Sequence, residues 1–238
     1  MKITHIYFSP NGETKKIALH FHEKLDGNLV DFTNPVVRNA YDFNQNHDLI
    51  ILSIPVYSQN IPYPLRSKLK TLKTKYLLLN LSYGGFSYGN MLKKIERQFS
   101  QSTLIGYSVT PVGHIYLHQK VDLQISLYNQ LIKQILDQSF EPIKVKFKFP
   151  HIFAQFFEKK RTQFNYRLSV DLESCINCGL CIEQCPTESI TETIEFKDSC
   201  LKCGHCESIC PTHAIHAQQS FLLKQYLKKK QKTSVIIR

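Results

Sequence analysis

The sequence lacks the features that would place it in a membrane or direct it out of the cell. No apolar run approaches the ~20 residues that a membrane-spanning helix requires, and the longest runs, LIILSIPV and YLLLNL, have the length of buried strands. The N-terminus, MKITHIYFSP, has no basic segment followed by a long apolar stretch, so we expect no signal peptide. These absences predict a cytoplasmic protein without a membrane span.

Cysteine is absent before Cys175, and all eight cysteines lie in two short stretches near the C-terminus. In a cytoplasmic chain, grouped cysteines indicate metal or redox chemistry more often than disulfides. The stretches read CINCGLCIEQCP and CLKCGHCESICP, and the second begins 25 positions after the first. Each has the pattern C-x2-C-x2-C-x3-C-P, which indicates a duplicated unit.

The spacing of the cysteines favours iron–sulfur clusters. Three thiolates separated by two residues can wrap one side of a compact cluster, and Gly179 and Gly204 let the backbone approach it. Because the proline redirects the chain, the fourth cysteine of each stretch is expected to bind the other stretch's cluster. The predicted ligands are Cys175, Cys178, Cys181 and Cys210 for one [4Fe–4S] cluster, and Cys200, Cys203, Cys206 and Cys185 for the other. A zinc ribbon needs only two C-x2-C pairs and is the weaker alternative.

The charge is unevenly distributed. Residues 166–217 contain 3 Lys and Arg against 8 Asp and Glu, a net of −5, whereas the rest of the chain contains 27 against 11, a net of +16. The asymmetry supports two domains. The basic part is interpreted either as a solvated lysine-rich surface or as a surface that attracts an acidic protein partner. Nucleic acid is not an expected partner, since no known nucleic-acid module accompanies the basic run near the C-terminus.

Apolar runs alternate with amphipathic stretches through the first half. The predicted strands are 2–8, 28–32, 48–54, 76–81 and 104–109, and the predicted helices are 14–25, 64–72, 88–99 and 121–139. Apolar strands that alternate with helices indicate an α/β fold, with a doubly wound five-stranded parallel sheet covered on both faces. Ligands of such folds bind beyond the carboxyl ends of the strands.

The predicted organisation has four parts. Residues 1–142 form the α/β domain, 143–165 connect it to a small α+β cluster domain at 166–218, and 219–238 form a basic tail. The connecting segment has neither a Gly/Ser linker composition nor a disordered one. Its apolar residues Ile152, Phe153, Phe156 and Phe157 have helical spacing, so we expect the segment to pack and to hold the two domains in a fixed relation.

The cysteine region, from Leu168 to Ala217, resembles the bacterial ferredoxins that carry two [4Fe–4S] clusters. That resemblance implies one-electron transfer at low potential. The loops after three strands, YFSPNGETKKIA, IPVYSQNIPYPL and NLSYGGFSYGN, together resemble flavodoxin. Its phosphate loop T/S-x-T-G-x-T corresponds here to Ser9-Pro10-Asn11-Gly12-Glu13-Thr14.

The flavodoxin resemblance implies an FMN site. The implied contacts are Ser9, Asn11, Gly12, Glu13 and Thr14 for the phosphate, and Pro55, Val56, Tyr57, Ser58, Ser82, Tyr83, Gly84, Gly85 and Phe86 for the flavin ring, with Tyr57 and Tyr83 expected to stack. Asn11 replaces a threonine, Pro10 has no N–H, and Glu13 brings a carboxylate near the phosphate. Because of these departures, the alternative that the domain has a flavodoxin-like fold but binds no flavin stays open.

Across nearly its whole length the chain resembles a family of ferredoxin–flavodoxin fusion proteins. The family implies an electron-transfer protein that couples FMN to two [4Fe–4S] clusters and exchanges electrons with a redox protein partner. Two alternatives remain open at this point: an FMN-dependent reductase of a small substrate, and a non-catalytic iron–sulfur redox sensor. No nucleophile–base pair for hydrolysis and no second G-x-G-x-x-G unit for a nicotinamide cofactor are visible.

Overall fold

The computed structural model describes residues 1–117, 121–147 and 163–238. The N-terminal half is built on five parallel strands: β1 (Ile3–Tyr7), β2 (Asn28–Asp31), β3 (Asn46–Pro55), β4 (Lys73–Tyr83) and β5 (Thr103–Pro111). Their order across the sheet is β2-β1-β3-β4-β5. This is the strand order of flavodoxin-like doubly wound folds, so the predicted fold class is confirmed.

Helices cover both faces of this sheet, which explains the apolar runs in its central strands. The helices are α1 (Glu13–Leu25), α2 (Pro35–Ala40), α3 (Met91–Gln98) and α4 (Asn129–Leu136). On one face, α1 and α4 bury Phe21 and Ile132 against Ile51 of β3. On the other face, α3 packs with Leu65 and Leu69 against the alternate residues of β3 and β4.

Two predicted helices differ in the structure. Residues 64–72 form two short 3-10 turns, Tyr63–Leu65 and Lys68–Lys70, because Pro62 and Pro64 lack the N–H donors that a longer helix needs. The predicted helix over 121–139 is shorter, since a 3-10 turn at Ile125–Tyr128 precedes α4. The buried Tyr128 shares a 2.6 Å hydrogen bond with Thr110, which fixes the chain against β5 where α4 begins.

The C-terminal half repeats one unit. Its outer strands β6 (Tyr166–Val170) and β7 (Ile215–Gln219) pair antiparallel, and each cysteine stretch carries a short helix, α5 (Leu180–Glu183) and α6 (His205–Ile209). Positive backbone φ angles recur 25 residues apart: 51° and 56° at Asn177 and Lys202, 74° and 73° at Gly179 and Gly204, and 50° and 54° at Glu188 and His213. The duplication seen in the sequence is therefore a duplication of backbone conformation.

The end of the chain returns to the first domain. Helix α7 (Phe221–Leu227) is followed by β8 (Ile236–Ile237), which pairs antiparallel with β5 and makes the sheet six-stranded. Neither element was predicted. The four-part division of the chain stays a prediction, and the aromatic residues of its connecting segment at 152–157 lie outside the described residues. Among the described residues, no helix is long and apolar enough to cross a membrane.

Candidate redox site

A cavity of about 1420 Å³ opens at the carboxyl ends of β1, β3 and β4, where parallel strands place their loops together. It is lined by most of the residues that the flavodoxin resemblance implied. These are Ser9, Asn11, Glu13, Thr14, Pro55, Val56, Tyr57, Ser58, Ser82, Tyr83, Gly84 and Phe86. Of the implied contacts, Gly12 and Gly85 are not part of the lining. The structure thus brings all three predicted loops to one site.

The first loop has the geometry of an anion cradle. Its Ser9 side chain accepts a hydrogen bond from the Lys15 N–H at 2.9 Å, and Gly12 turns the chain with a φ of 81°. Helix α1 begins at Glu13 and directs its first N–H groups, which have no partner within the helix, toward this loop. A Cβ at Gly12 would meet no atom within 4 Å, so the space beside the loop is open.

Two of the departures from the flavodoxin pattern have a structural explanation. The Glu13 carboxylate pairs with Lys16 at 2.7 Å, which offsets its charge near the anion cradle. The Asn11 amide donates to the carbonyl oxygen of Cys203 at 2.9 Å. The residue that replaces the usual threonine therefore connects the first loop to a cysteine stretch.

The second loop is a tight turn. Tyr57 and Asn60 exchange backbone hydrogen bonds of 3.1 and 2.8 Å, and Ser58 and Gln59 between them have φ angles of 49° and 64°. Positive φ at both central positions is characteristic of a type I′ turn. Burial raises the pKa of Tyr57 well above its ordinary value, so its ring lines the cavity as a neutral phenol.

The third loop is held by close aromatic packing. Tyr83 is only 3% exposed and packs edge-on against Tyr88, whose ring centroid lies 5.6 Å away. A Cβ on Gly84 would lie 2.5 Å from the imidazole of His114, so this position requires glycine. Phe86 packs against His114 and Tyr226 with ring centroids 5.4 and 4.9 Å apart.

His114 and Tyr226 line the cavity but were missed by sequence reasoning. Tyr226 lies in the predicted tail, far along the chain from the strand loops, so no local pattern marks it. Burial lowers the pKa of His114 to about 4, which keeps the imidazole neutral at physiological pH. Its Nδ1 accepts from the Tyr116 N–H at 3.3 Å, so the proton is on Nε2.

The lining of the large cavity tests whether FMN fits. The open loop before α1 offers N–H groups without helical partners to a phosphate. The wall also carries the aromatic rings of Tyr57 and Phe86, against which a flavin ring can pack. The residues present therefore fit FMN.

The eight cysteines fall into two groups of four. A small cavity is lined by Cys175, Cys178, Cys181 and Cys210. In the second group, burial is the main cause that raises the pKa of the Cys203 thiol, and it raises that of Cys206 to about 12. The nearby Cys200 and Cys185 thiols add to both increases. The structure thus brings together the same two sets that the spacing predicted.

Backbone amides surround the sulfur atoms. Ser189 N–H donates to the Cys185 sulfur, and Ala214 N–H donates to the Cys210 sulfur, both at 3.3 Å. Amide donors of this kind stabilise the negative charge of a bound cluster. In the described part of the chain, no three Cys, His, Asp or Glu side chains are arranged to hold a single metal ion.

The loop of the second cysteine stretch forms a wall of the large cavity, to which Cys200 and Leu201 contribute. The first domain holds this stretch through its backbone carbonyls. Besides the Asn11 contact, Tyr116 donates to the carbonyl of Lys202 at 2.7 Å, and Tyr63 donates to the carbonyl of Ser199. Leu201 and Cys203 also belong to the apolar core on one face of the sheet. The proposed flavin site and the second cysteine group thus share one boundary.

Comparisons with known proteins give a family match for the cysteine region and structural matches for the first domain. A family model described as a 4Fe-4S binding domain matches residues 168–191 and 194–216. No curated protein matches the chain. A flavodoxin from the domain Archaea is 16% identical, with a TM-score of 0.43, and the match covers 58% of this chain and 98% of that one.

Two further solved structures resemble the first domain. A short-chain flavodoxin associated with a non-canonical PDU bacterial microcompartment is 14% identical, with 58% and 99% of the chains covered and a TM-score of 0.41. An azoreductase from Bacillus anthracis str. Sterne is 11% identical, with 58% and 96% covered and a TM-score of 0.35. The assignment of the fold rests on the strand order, not on these scores.

The chain thus joins a flavodoxin-like domain to a 4Fe–4S ferredoxin domain, as the sequence resemblance implied. The 4Fe–4S binding domain points to redox chemistry.

Proposed function

We propose that the protein transfers electrons between FMN, bound in the large cavity, and two [4Fe–4S] clusters, and exchanges them with an external redox protein. One observation carries this proposal: the cavity lined by the three strand loops is also lined by Cys200, a ligand of one proposed cluster. A bound flavin would hold one or two electrons, whereas an iron–sulfur cluster moves one at a time.

The chain's own residues fix the relation between the centres. Asn11, Tyr63 and Tyr116 each donate a hydrogen bond from the first domain to the second cysteine stretch, so the wall between flavin and cluster is positioned from several loops. Tyr116 also stacks on Tyr166, with ring centroids 3.8 Å apart. These two rings lie in the cavity wall, and their hydroxyls donate to Lys202 and Glu207 of the second cysteine stretch.

The proposed cluster ligands are Cys200, Cys203, Cys206 and Cys185 beside the cavity, and Cys175, Cys178, Cys181 and Cys210 at the far end of the small domain. Cys178 is exposed, whereas Cys203 is buried. The arrangement therefore has an inner cluster next to the flavin site and an outer cluster near the surface. We refer to the two sets below as the inner and outer cysteines.

A second candidate function is reduction of a small substrate at the flavin. The volume of the cavity favours it, because about 1420 Å³ exceeds the roughly 300–1,000 Å³ of an ordinary ligand pocket. A second molecule could then lie beside FMN, against Phe86, His114 and Tyr226. Turnover of a small electron acceptor by the reduced protein, with no protein partner present, would favour this candidate over the first.

The test is the content of iron and FMN in protein purified and reconstituted without oxygen. We expect about eight irons per chain, four for each cluster, together with one FMN. Eight irons without flavin, even in excess FMN, would contradict the proposal. The redox-sensor alternative, in which the flavodoxin-like domain is a scaffold, would then be better supported than electron transfer.

Two matched glycine variants sharpen this test. Gly12 and Gly179 have φ angles of 81° and 74°, and a Cβ at either would meet nothing within 4 Å. Both substitutions to alanine therefore carry a similar backbone strain. We expect Gly12→Ala to weaken FMN binding and leave iron unchanged, and Gly179→Ala to lower iron and leave FMN unchanged. Equal losses in both variants would contradict the assignment of the two sites.

A further inference from the structure

The surface around the outer cysteines differs in charge from the rest of the protein. Between Leu168 and Phe196 the sequence has six acidic residues and no lysine or arginine. The acidic residues are Asp171, Glu173, Glu183, Glu188, Glu192 and Glu195. The chain as a whole carries a net charge of +11. The acidic partner considered for the basic part of the chain therefore does not suit this surface.

Apolar side chains lie at the same place. Leu172 is 72% exposed and Ile176 is 63% exposed, on either side of Cys175. Ile176 and Ile194 line the small cavity together with the outer cysteines. Glu173 and Glu183 are exposed on the same stretch of chain, and Glu192 and Glu195 are exposed on either side of Ile194 in the sequence. The combination is an apolar centre with an acidic rim, which is the usual organisation of a protein–protein interface.

We propose that this surface, which we call the outer face, docks a redox protein with a basic rim around an apolar centre. The inference rests on the proposed function, because it takes the outer cysteines to hold the cluster that exchanges electrons with the partner. It replaces the acidic partner that was considered for the basic part of the chain. Opposite charge at the rim orients the partner, and the apolar contact between Ile176 and the partner excludes water from the short path to the cluster.

Electron exchange at the outer face is a one-electron step. The outer cluster loses one electron, the partner's cofactor gains one, and no bond or proton changes. A suitable probe is cytochrome c, a small basic haem protein, compared with an acidic bacterial ferredoxin. Binding is measured first with all centres oxidised, so that no electron can flow and the result does not depend on activity.

We expect oxidised cytochrome c, at low ionic strength, to slow hydrogen exchange across residues 171–183 while leaving exchange in α1 unchanged. The double variant Glu173→Lys/Glu183→Lys should weaken this binding at least about tenfold. The difference should shrink at high salt, because added ions screen exposed charges. Electron transfer from the reduced protein to cytochrome c should slow in parallel.

The matched control is Glu23→Lys/Glu141→Lys, which changes the net charge equally at exposed positions of the first domain. It should bind cytochrome c as the wild type does. Equal weakening by both double variants, or tighter binding of the acidic ferredoxin than of cytochrome c, would overturn the proposal. If Glu173→Lys/Glu183→Lys loses iron, then Glu192→Lys/Glu195→Lys gives the same test next to Ile194. If both double variants bind cytochrome c equally well while the protein holds about eight irons and one FMN, only the outer face is refuted. If the protein binds no flavin, the proposed function itself is refuted.

Discussion

Leu201 and Ile176 occupy the same position of the duplicated cysteine unit, yet their surroundings are opposite. Each follows the first cysteine of its stretch, but Leu201 is 7% exposed and Ile176 is 63% exposed. Leu201 packs into the core of the flavodoxin-like domain, whereas Ile176 faces solvent beside the outer cysteines. Cys203 and Cys178, two positions further along, differ in the same way.

This difference shows how one motif can serve two purposes. The backbone conformation is repeated, so both copies can hold a cluster, but only the second copy is covered by the first domain. The covered copy faces the proposed flavin, and the uncovered copy faces solvent. The two copies therefore differ because only one of them packs against the first domain, and not because their backbone conformations differ. The predictions below test this asymmetry.

The largest expected effect comes from removing one thiolate of each set. Cys203→Ser and Cys178→Ser should each lower the iron content from about eight to about four, because each breaks one cluster. Cys203→Ser should also loosen the contact between the domains, since Cys203 is buried there and its loop accepts the Asn11 hydrogen bond. Iron analysis and limited proteolysis of protein prepared without oxygen would check both. Equal protease resistance in the two variants would contradict the inner and outer assignment.

A smaller but more specific effect is expected at the matched apolar positions. Leu201→Ala should lower the free energy of unfolding by about 2–5 kcal/mol, as for other buried leucines. Ile176→Ala should change it by no more than about 0.5 kcal/mol, as for exposed sites. For a chain of this size, the Leu201 variant should therefore melt about 5–15 °C lower. Thermal melts of the fully loaded variants would measure this, and similar midpoints would show that Leu201 is not covered in solution.

The smallest expected effect concerns Asn11, which links the two domains. Asn11→Ala removes the hydrogen bond to the Cys203 carbonyl that positions the first loop, which we assign to the FMN phosphate. One hydrogen bond contributes about 0.5–1.5 kcal/mol, so the dissociation constant for FMN should rise roughly twofold to tenfold. The exposed Asn28→Ala is the control and should leave FMN affinity unchanged. Unchanged or tighter FMN binding by Asn11→Ala would contradict the role of this hydrogen bond.

The sequence predicted the parts that depend on local pattern. Apolar runs located all five parallel strands, and cysteine spacing predicted the two sets of thiols that the structure brings together. It did not predict how the domains meet. Asn11 looked like a weakened phosphate contact, because nothing near it in sequence shows that Cys203 is its partner. The positions of His114, Tyr226 and β8 likewise depend on long-range packing, which no local pattern encodes.

The central claim is that the inner cluster lies between the flavin and the outer cluster. Electron redistribution after a light pulse, followed by flavin absorbance in loaded Cys178→Ser and Cys203→Ser, tests it most directly. The account predicts that exchange between flavin and cluster persists in Cys178→Ser at nearly the wild-type rate and is lost in Cys203→Ser. Loss of exchange in Cys178→Ser, with exchange retained in Cys203→Ser, would contradict it.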